Sequence, residues 1–198
     1  MDRDWPLSGR NAEVSFVVDA IAAGRGVVIA GATGVGKTRL SREAVNRVTA
    51  DGTLAAEAIA ATRASVTIPL GVFAHLDEGQ ASAFITPIGA IRHALLERAG
   101  GRPLLLLVDD AHALDPASAA VVHQLASSGD AIVLATIRSR ESAPDAVTAL
   151  WKDGLCDRLD LQTLSDRETG ELLEEVLQGP VDARSRRDLW EATQGRTT

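Results

Sequence analysis

The sequence predicts a three-layer α/β domain with a mainly parallel sheet flanked by helices. Three observations lead there. Strand-like and helix-like segments alternate along the chain. Two strand candidates, residues 104–108 and 131–137, are continuous apolar runs, the pattern of strands buried on both faces of a parallel sheet. A glycine-rich loop joins the first strand candidate to a helix-competent stretch.

The first strand is read at residues 26–30 (GVVIA), short, apolar and β-branched, and a helix follows from Lys37 to about Val48. Residues 53–61 are alanine-rich and ambiguous between strand and helix; they are read as a strand because the alternation expects one there. Ile88, Ile91 and Leu95 fall at helical spacing, with Pro87 opening that helix and Gly100 and Gly101 closing it. The clearest strand is LLLLVDD, residues 104–110, an apolar run closed by two aspartates. Asp115 is an N-cap followed by Pro116 at the first helical position, and the helix carrying Val121, Val122 and Leu125 stops near Gly129. A buried strand at 131–137, a short helix at about 145–151 and a last strand near 156–161 follow. Ser165 to Glu168 (SDRE) reads as a capping box opening a helix with Leu172, Leu173, Val176 and Leu177 on one face, ended by Gly179 and Pro180. With no internal repeat, low-complexity tract or long linker, one domain is expected across residues 1–198.

Composition narrows the functional classes. The 198 residues are 45% hydrophobic and 24% charged, and a chain of this length builds a core without a disulfide or metal staple. Cys156 is the single cysteine, so no internal bridge is expected. No apolar run approaches the roughly 20 residues of a membrane span, and the opening MDRDWP lacks signal-peptide character, so a cytoplasmic protein with no membrane partner is expected. A net charge of −7 argues against an extended basic face for nucleic acid.

Residues 31–38, GATGVGKT, match the pattern G-x-x-x-x-G-K-[ST] in full, between a predicted strand and a predicted helix. Gly31, Gly34 and Gly36 let the backbone curl so that successive N–H groups point at anionic oxygens, aided by the positive end of the following helix. Gly31, Ala32, Thr33, Gly34, Val35, Gly36, Lys37, Thr38 and Arg39 form the candidate nucleotide-binding set. Lys37 is expected to reach the β- and γ-phosphates of ATP, and the Thr38 hydroxyl to ligate Mg2+. Lysine occurs only at 37 and 152 among 20 basic residues, so a chain that otherwise uses arginine has a compact ammonium where phosphates are expected.

Asp109 and Asp110 close the most hydrophobic strand, at the carboxyl edge where parallel sheets bind ligands. Asp109 is assigned to Mg2+ and Asp110 to orienting the attacking water, although aspartate is one methylene shorter than the glutamate often found at that step. Arg138 follows the next strand and is expected to reach the γ-phosphate if that strand is parallel; otherwise it is a surface arginine. His75, His93, His112 and His123 show no metal-ligand spacing with Cys156 and are read as structural or surface residues, His112 being the candidate exception beside Asp110. Trp5, Trp151 and Trp190 are read as packing residues.

Together these residues resemble the ATPase module of the STAND class of P-loop NTPases, and most closely that of bacterial LuxR-type large ATP-binding transcriptional regulators. LSGRNAE, residues 7–13, is similar to that family's h-x-G-R-x-x-E signature, which implies that Gly9 and Arg10 help hold the adenine. GATGVGKT takes the place of the Walker A loop, LLLLVDDAHALD that of the Walker B strand with its Asp-Asp-Ala-His continuation, and ATIR that of the sensor arginine. The resemblance implies a switch governed by ATP against ADP, with slow hydrolysis as a timer. It also implies winged-helix, helical-repeat and helix-turn-helix domains after a G-x-P motif; here Gly195-Arg196-Thr197 carries threonine at the proline position and the chain is expected to lack those domains.

The expected function is thus a weak Mg2+-dependent ATPase acting as a regulatory switch, the alternative being a binding-only remnant that works through protein contacts. A small-molecule kinase would need a lid and acceptor site that are not recognisable, and an ABC transporter ATPase is disfavoured because Leu7-Ser8-Gly9 lies before the Walker A loop rather than between the two Walker motifs, with the rest of that signature absent. No direct DNA binding by this chain is expected, because the basic stretch 184–187 is too short for a helix-turn-helix; self-association or contact with a related regulator is the expected route of any output.

Overall fold

The computed structural model describes residues 9–62, 67–76 and 86–196. Among them five strands form one sheet: β1 (Gly26–Gly31), β2 (Ala55–Ala60), β3 (Leu104–Asp109), β4 (Ala131–Arg138) and β5 (Cys156–Leu161). Every pairing is parallel and the spatial order is β2-β3-β4-β1-β5. Helices α1 (Asn11–Ala22), α2 (Lys37–Thr49), α3 (Pro87–Ala99), α4 (Pro116–Ser127), α5 (Asp145–Lys152), α6 (Asp166–Leu177) and α7 (Ala183–Thr193) surround it, with 3-10 turns at Gly71–Leu76 and Ala111–Ala113. Trp5, Leu7, Ser8 and Thr197 lie outside the described residues.

Successive side chains of a strand point to opposite faces, so a sheet covered on both sides needs apolar residues at every position. Val27 and Ile29 of β1 pack with Leu105 and Leu107 against Val14, Val17 and Ile21 of α1 and Leu40 and Ala44 of α2. Val28 and Ala30 point the other way, packing with Leu104, Leu106 and Val108 against Leu95 of α3, Val121, Val122 and Leu125 of α4, and Val147 and Leu150 of α5. The four consecutive leucines of β3 therefore feed both layers. Burying each stabilises the fold by about 1.5–3 kcal/mol relative to an exposed side chain.

The alanine-rich segment is a strand, and its ambiguity has a structural cause. β2 pairs only with β3, at the edge of the sheet, and only Ala55 and Ile59 of its six residues are buried. An edge position needs less apolar surface, so the strand signal is weak. Two other differences from expectation are local. Helix α6 closes on Gln178 in the left-handed conformation (φ 52°), one residue before Gly179. Helix α7 occupies the stretch read only as basic; Asp182 caps it by accepting from the N–H groups of Arg184 and Ser185, and none of its residues is buried. Without a buried stripe it leaves no hydrophobic period to read.

Capping at α4 ties the helix to the rest of the fold. The buried Asp115 carboxylate accepts from the N–H groups of Ala117 and Ser118 at 3.0 Å each, from the Ser118 hydroxyl, and from the Leu70 N–H at 3.3 Å. Burial by itself would raise the Asp115 pKa, but these hydrogen bonds outweigh it and hold the carboxyl below its ordinary value. A depressed pKa makes the contribution fully present above about pH 4, and it is lost as pH falls through the folded-state value. Asp115→Ala should lower unfolding stability by about 2 kcal/mol in urea melts at neutral pH. The deficit relative to the unsubstituted chain should shrink in acid, and a pH-independent deficit would count against this account.

Candidate functional site

At the carboxyl edge of the sheet the first connection is the glycine-rich loop. Gly34 and Gly36 take φ values of 79° and 92°, a left-handed backbone that strains residues with a Cβ. The chain thereby turns sharply out of β1 and starts α2 at Lys37. The Lys37 ammonium folds back over the loop, donating to the carbonyls of Gly31 at 3.1 Å and Ala32 at 2.9 Å. Burial lowers its pKa and outweighs the attraction of Asp110 and Asp109. Within this loop Val35 and Gly31 are buried, Thr33 is exposed, and Arg39 is half-buried in the first turn of α2.

Asp109 and Asp110 end the strand two places away from β1, because β4 lies between them. One oxygen of Asp109, Oδ1, accepts from the Thr38 hydroxyl at 3.0 Å and from the Thr136 hydroxyl at 2.6 Å. Thr136 is fully buried in β4 and its hydroxyl also accepts from the Asp110 N–H at 2.9 Å. It bridges both acids. Sequence reasoning missed this residue, although one threonine inside the apolar run AIVLATI was a signal that something polar had to be satisfied there.

Asp110 itself sits in the left-handed region, φ 53° and ψ 42°. Aspartate tolerates that conformation better than most residues, at a cost on the order of 1 kcal/mol, and the turn starts the short helix Ala111–Ala113. Arg138 ends β4 directly opposite Gly31 in the strand register, so the expected parallel arrangement holds. Its guanidinium donates from Nη1 to Glu141 Oε1 at 2.8 Å and from Nη2 to Asp110 Oδ2 at 3.4 Å. The Glu141 hydrogen bond first, and the Asp110 charge second, raise the Arg138 pKa.

His112 is 8% exposed, with Nε2 3.2 Å from Glu141 Oε2 and Nδ1 3.8 Å from Asp110 Oδ1. Burial pulls its pKa down against the opposing pull of the two carboxylates. The other histidines stay apart from this cluster. His93 pairs with Glu97 on α3, His123 lies near Asp153 and His75 is exposed. Burial pushes the Cys156 thiol up to about 12, away from the thiolate form. Trp151 packs against the core with Arg158 over its ring at 5.2 Å, and Trp190 donates to the Leu164 carbonyl at 2.9 Å.

Gly9 and Arg10 sit at the same edge. Arg10 is buried, pairs with Glu13 at 2.8 Å and donates to the carbonyl of Gln162, one residue beyond Leu161, which lies opposite Gly31. The later turn at Gly195 closes against that connection, its carbonyl accepting from the Leu164 N–H at 3.0 Å. A Cβ at Gly195 would stand 2.1 Å from the Leu164 oxygen, so only glycine fits.

The donor set suits Mg2+. A hydroxyl and a carboxylate oxygen converge beside a loop built for phosphates, and Mg2+ prefers one or two such oxygens plus substrate phosphates to an all-protein cage. Among the described residues no group of three or more His, Cys, Asp or Glu is arranged to hold a metal.

A family model described as AAA ATPase domain matches residues 6–137. The chain belongs to this family. The AAA ATPase match takes in the glycine-rich loop, Asp109, Asp110 and Thr136 and stops one residue before Arg138. Membership implies nucleotide binding, and usually Mg2+ with it. No curated protein matches the chain. Among solved structures, a chain in the structure of the E. coli MS115-1 HORMA:CdnC:Trip13 complex superposes with a TM-score of 0.63. The alignment covers 94% of this AAA ATPase chain and 74% of that one at 16% identity, which is a likeness of fold. Among the described residues no helix is long and apolar enough to cross a membrane.

Proposed function

We propose that residues 1–198 form one ATP-binding, slowly hydrolysing regulatory switch, similar to the ATPase module of LuxR-type transcriptional regulators. The observation that carries the reading is the 3.0 Å contact between Thr38 and Asp109, which joins the phosphate loop to the acidic strand end across β4. In this reading the loop N–H groups and Lys37 would hold the β- and γ-phosphates, and Thr38 and Asp109 would hold Mg2+. When bound, Mg2+ would supply positive charge that offsets the charge of the phosphates. Asp110 orients a water whose oxygen attacks the γ-phosphorus as the bond to the ADP oxygen breaks, the water's protons leaving with the released phosphate. Gly9 and Arg10 line the adenine end, supported by their place beside the β5 to α6 connection. Output runs through protein contacts, by self-association or with a related regulator, and not through DNA.

Calorimetric titration of the chain with ATP, ADP and GTP, with and without Mg2+, tests this. Saturable binding with an adenine preference and a tighter, Mg2+-dependent triphosphate complex is expected. Equal, metal-independent heats for all three would overturn it.

A binding-only module is the second reading, and one observation favours it: the Asp110 carboxylate is already engaged by Arg138 at 3.4 Å. Phosphate release from Mg2+-ATP over hours separates the two.

A further inference from the structure

Glu141 lies three residues beyond β4, and both of its carboxylate oxygens are engaged. Oε1 takes the shorter of the two ion pairs made by Arg138, 2.8 Å against 3.4 Å to Asp110. Oε2 lies 3.2 Å from Nε2 of His112, a side chain only 3% exposed and therefore held in place by its surroundings. The glutamate is thus braced on one side by a buried ring while it grips the arginine with the other. That arginine stands opposite Gly31, where the phosphate loop begins.

We propose that Glu141 sets the preference of the site between ATP and ADP by competing with the γ-phosphate for Arg138. The proposal rests on the nucleotide-switch reading above, in which Arg138 meets the γ-phosphate. ADP presents no γ-phosphate, so Arg138 keeps both carboxylates and nothing is displaced. ATP must draw the guanidinium away from Glu141, and the loss of that pair subtracts from triphosphate affinity alone. The same exchange would loosen the hold of Arg138 on Asp110, so the carboxylate assigned to the water is released when the γ-phosphate is present. Glu141 acts through Arg138, as a positioning residue, and its side chain is 44% exposed, so replacing it leaves the core intact.

The test is a double-mutant cycle on the whole chain, with affinities for Mg2+-ADP and for the hydrolysis-resistant imido analogue of Mg2+-ATP measured by calorimetry. E141Q keeps the shape and removes the charge. It should tighten the triphosphate analogue about fivefold and leave ADP unchanged, the size expected for a partly exposed ion pair. R138A should weaken the analogue selectively, and E141Q should have no further effect in the R138A background. An unchanged affinity ratio in E141Q overturns the proposal, as does an equal gain for both nucleotides. The same gain with Arg138 absent also overturns it, because it would show simple relief of charge repulsion. If the unsubstituted chain binds neither nucleotide, the nucleotide-switch reading itself falls, which is a different result from normal binding with an inert Glu141.

Discussion

Lys37→Ala should abolish measurable triphosphate binding or weaken it by at least ~100-fold, about 2.7 kcal/mol, in a calorimetric titration with Mg2+-ATP. The ammonium is the only lysine near the loop, is 7% exposed and already points at the loop, held by the carbonyls of Gly31 and Ala32. Phosphate oxygens would replace those neutral acceptors with charged ones at little reorganisation, the condition under which a preplaced charge contributes most. Because burial lowers the Lys37 pKa, binding should also help to hold its proton, and triphosphate affinity should fall on the alkaline side before a solvent-exposed lysine would titrate. An unchanged affinity in the alanine variant, with circular dichroism showing the fold intact, would remove the phosphate-loop assignment.

The two aspartates should separate cleanly by what each variant loses. Asp109→Asn should weaken Mg2+-dependent nucleotide binding roughly 10-fold or more, since one charged oxygen facing Thr38 is replaced by a neutral amide oxygen. The amide still accepts from Thr38 and Thr136, so the bridge across β4 and the fold survive. Asp110→Asn should leave affinity within about twofold and reduce turnover by roughly 100-fold or more, the order of loss expected when the group that orients and polarises the attacking water is neutralised. Affinity and phosphate release measured on both variants decide the matter. Equal losses of binding would undo the division of roles, and turnover unaffected by Asp110→Asn would leave the binding-only reading standing.

The glycine-rich loop, the acidic strand end and most of the element order were legible because each rests on short-range chemistry. A turn with φ of 79° and 92° needs glycine, a helix opening at Ser165 or Asp115 needs a capping side chain, and a strand buried on both faces needs LLLL. Such requirements act within a few residues, so they are written locally. Where burial was partial the signal faded. The edge strand β2 was ambiguous, and α7, with none of its residues buried, left only its charges.

What joins those pieces was decided by the tertiary structure. Nothing in the order of segments says that β4 lies between β1 and β3, yet that insertion puts the Thr136 hydroxyl 2.6 Å from Asp109 and under the Asp110 N–H. It also sets Arg138 opposite Gly31, 107 positions away in the chain, and within reach of Asp110 and Glu141. The sequence by itself displayed the glycine-rich loop, the two acids and the arginine as candidates, each through its residue type and its place in the pattern. Their partnership depends on strand order, which follows from packing two apolar layers against one sheet and carries no local signature.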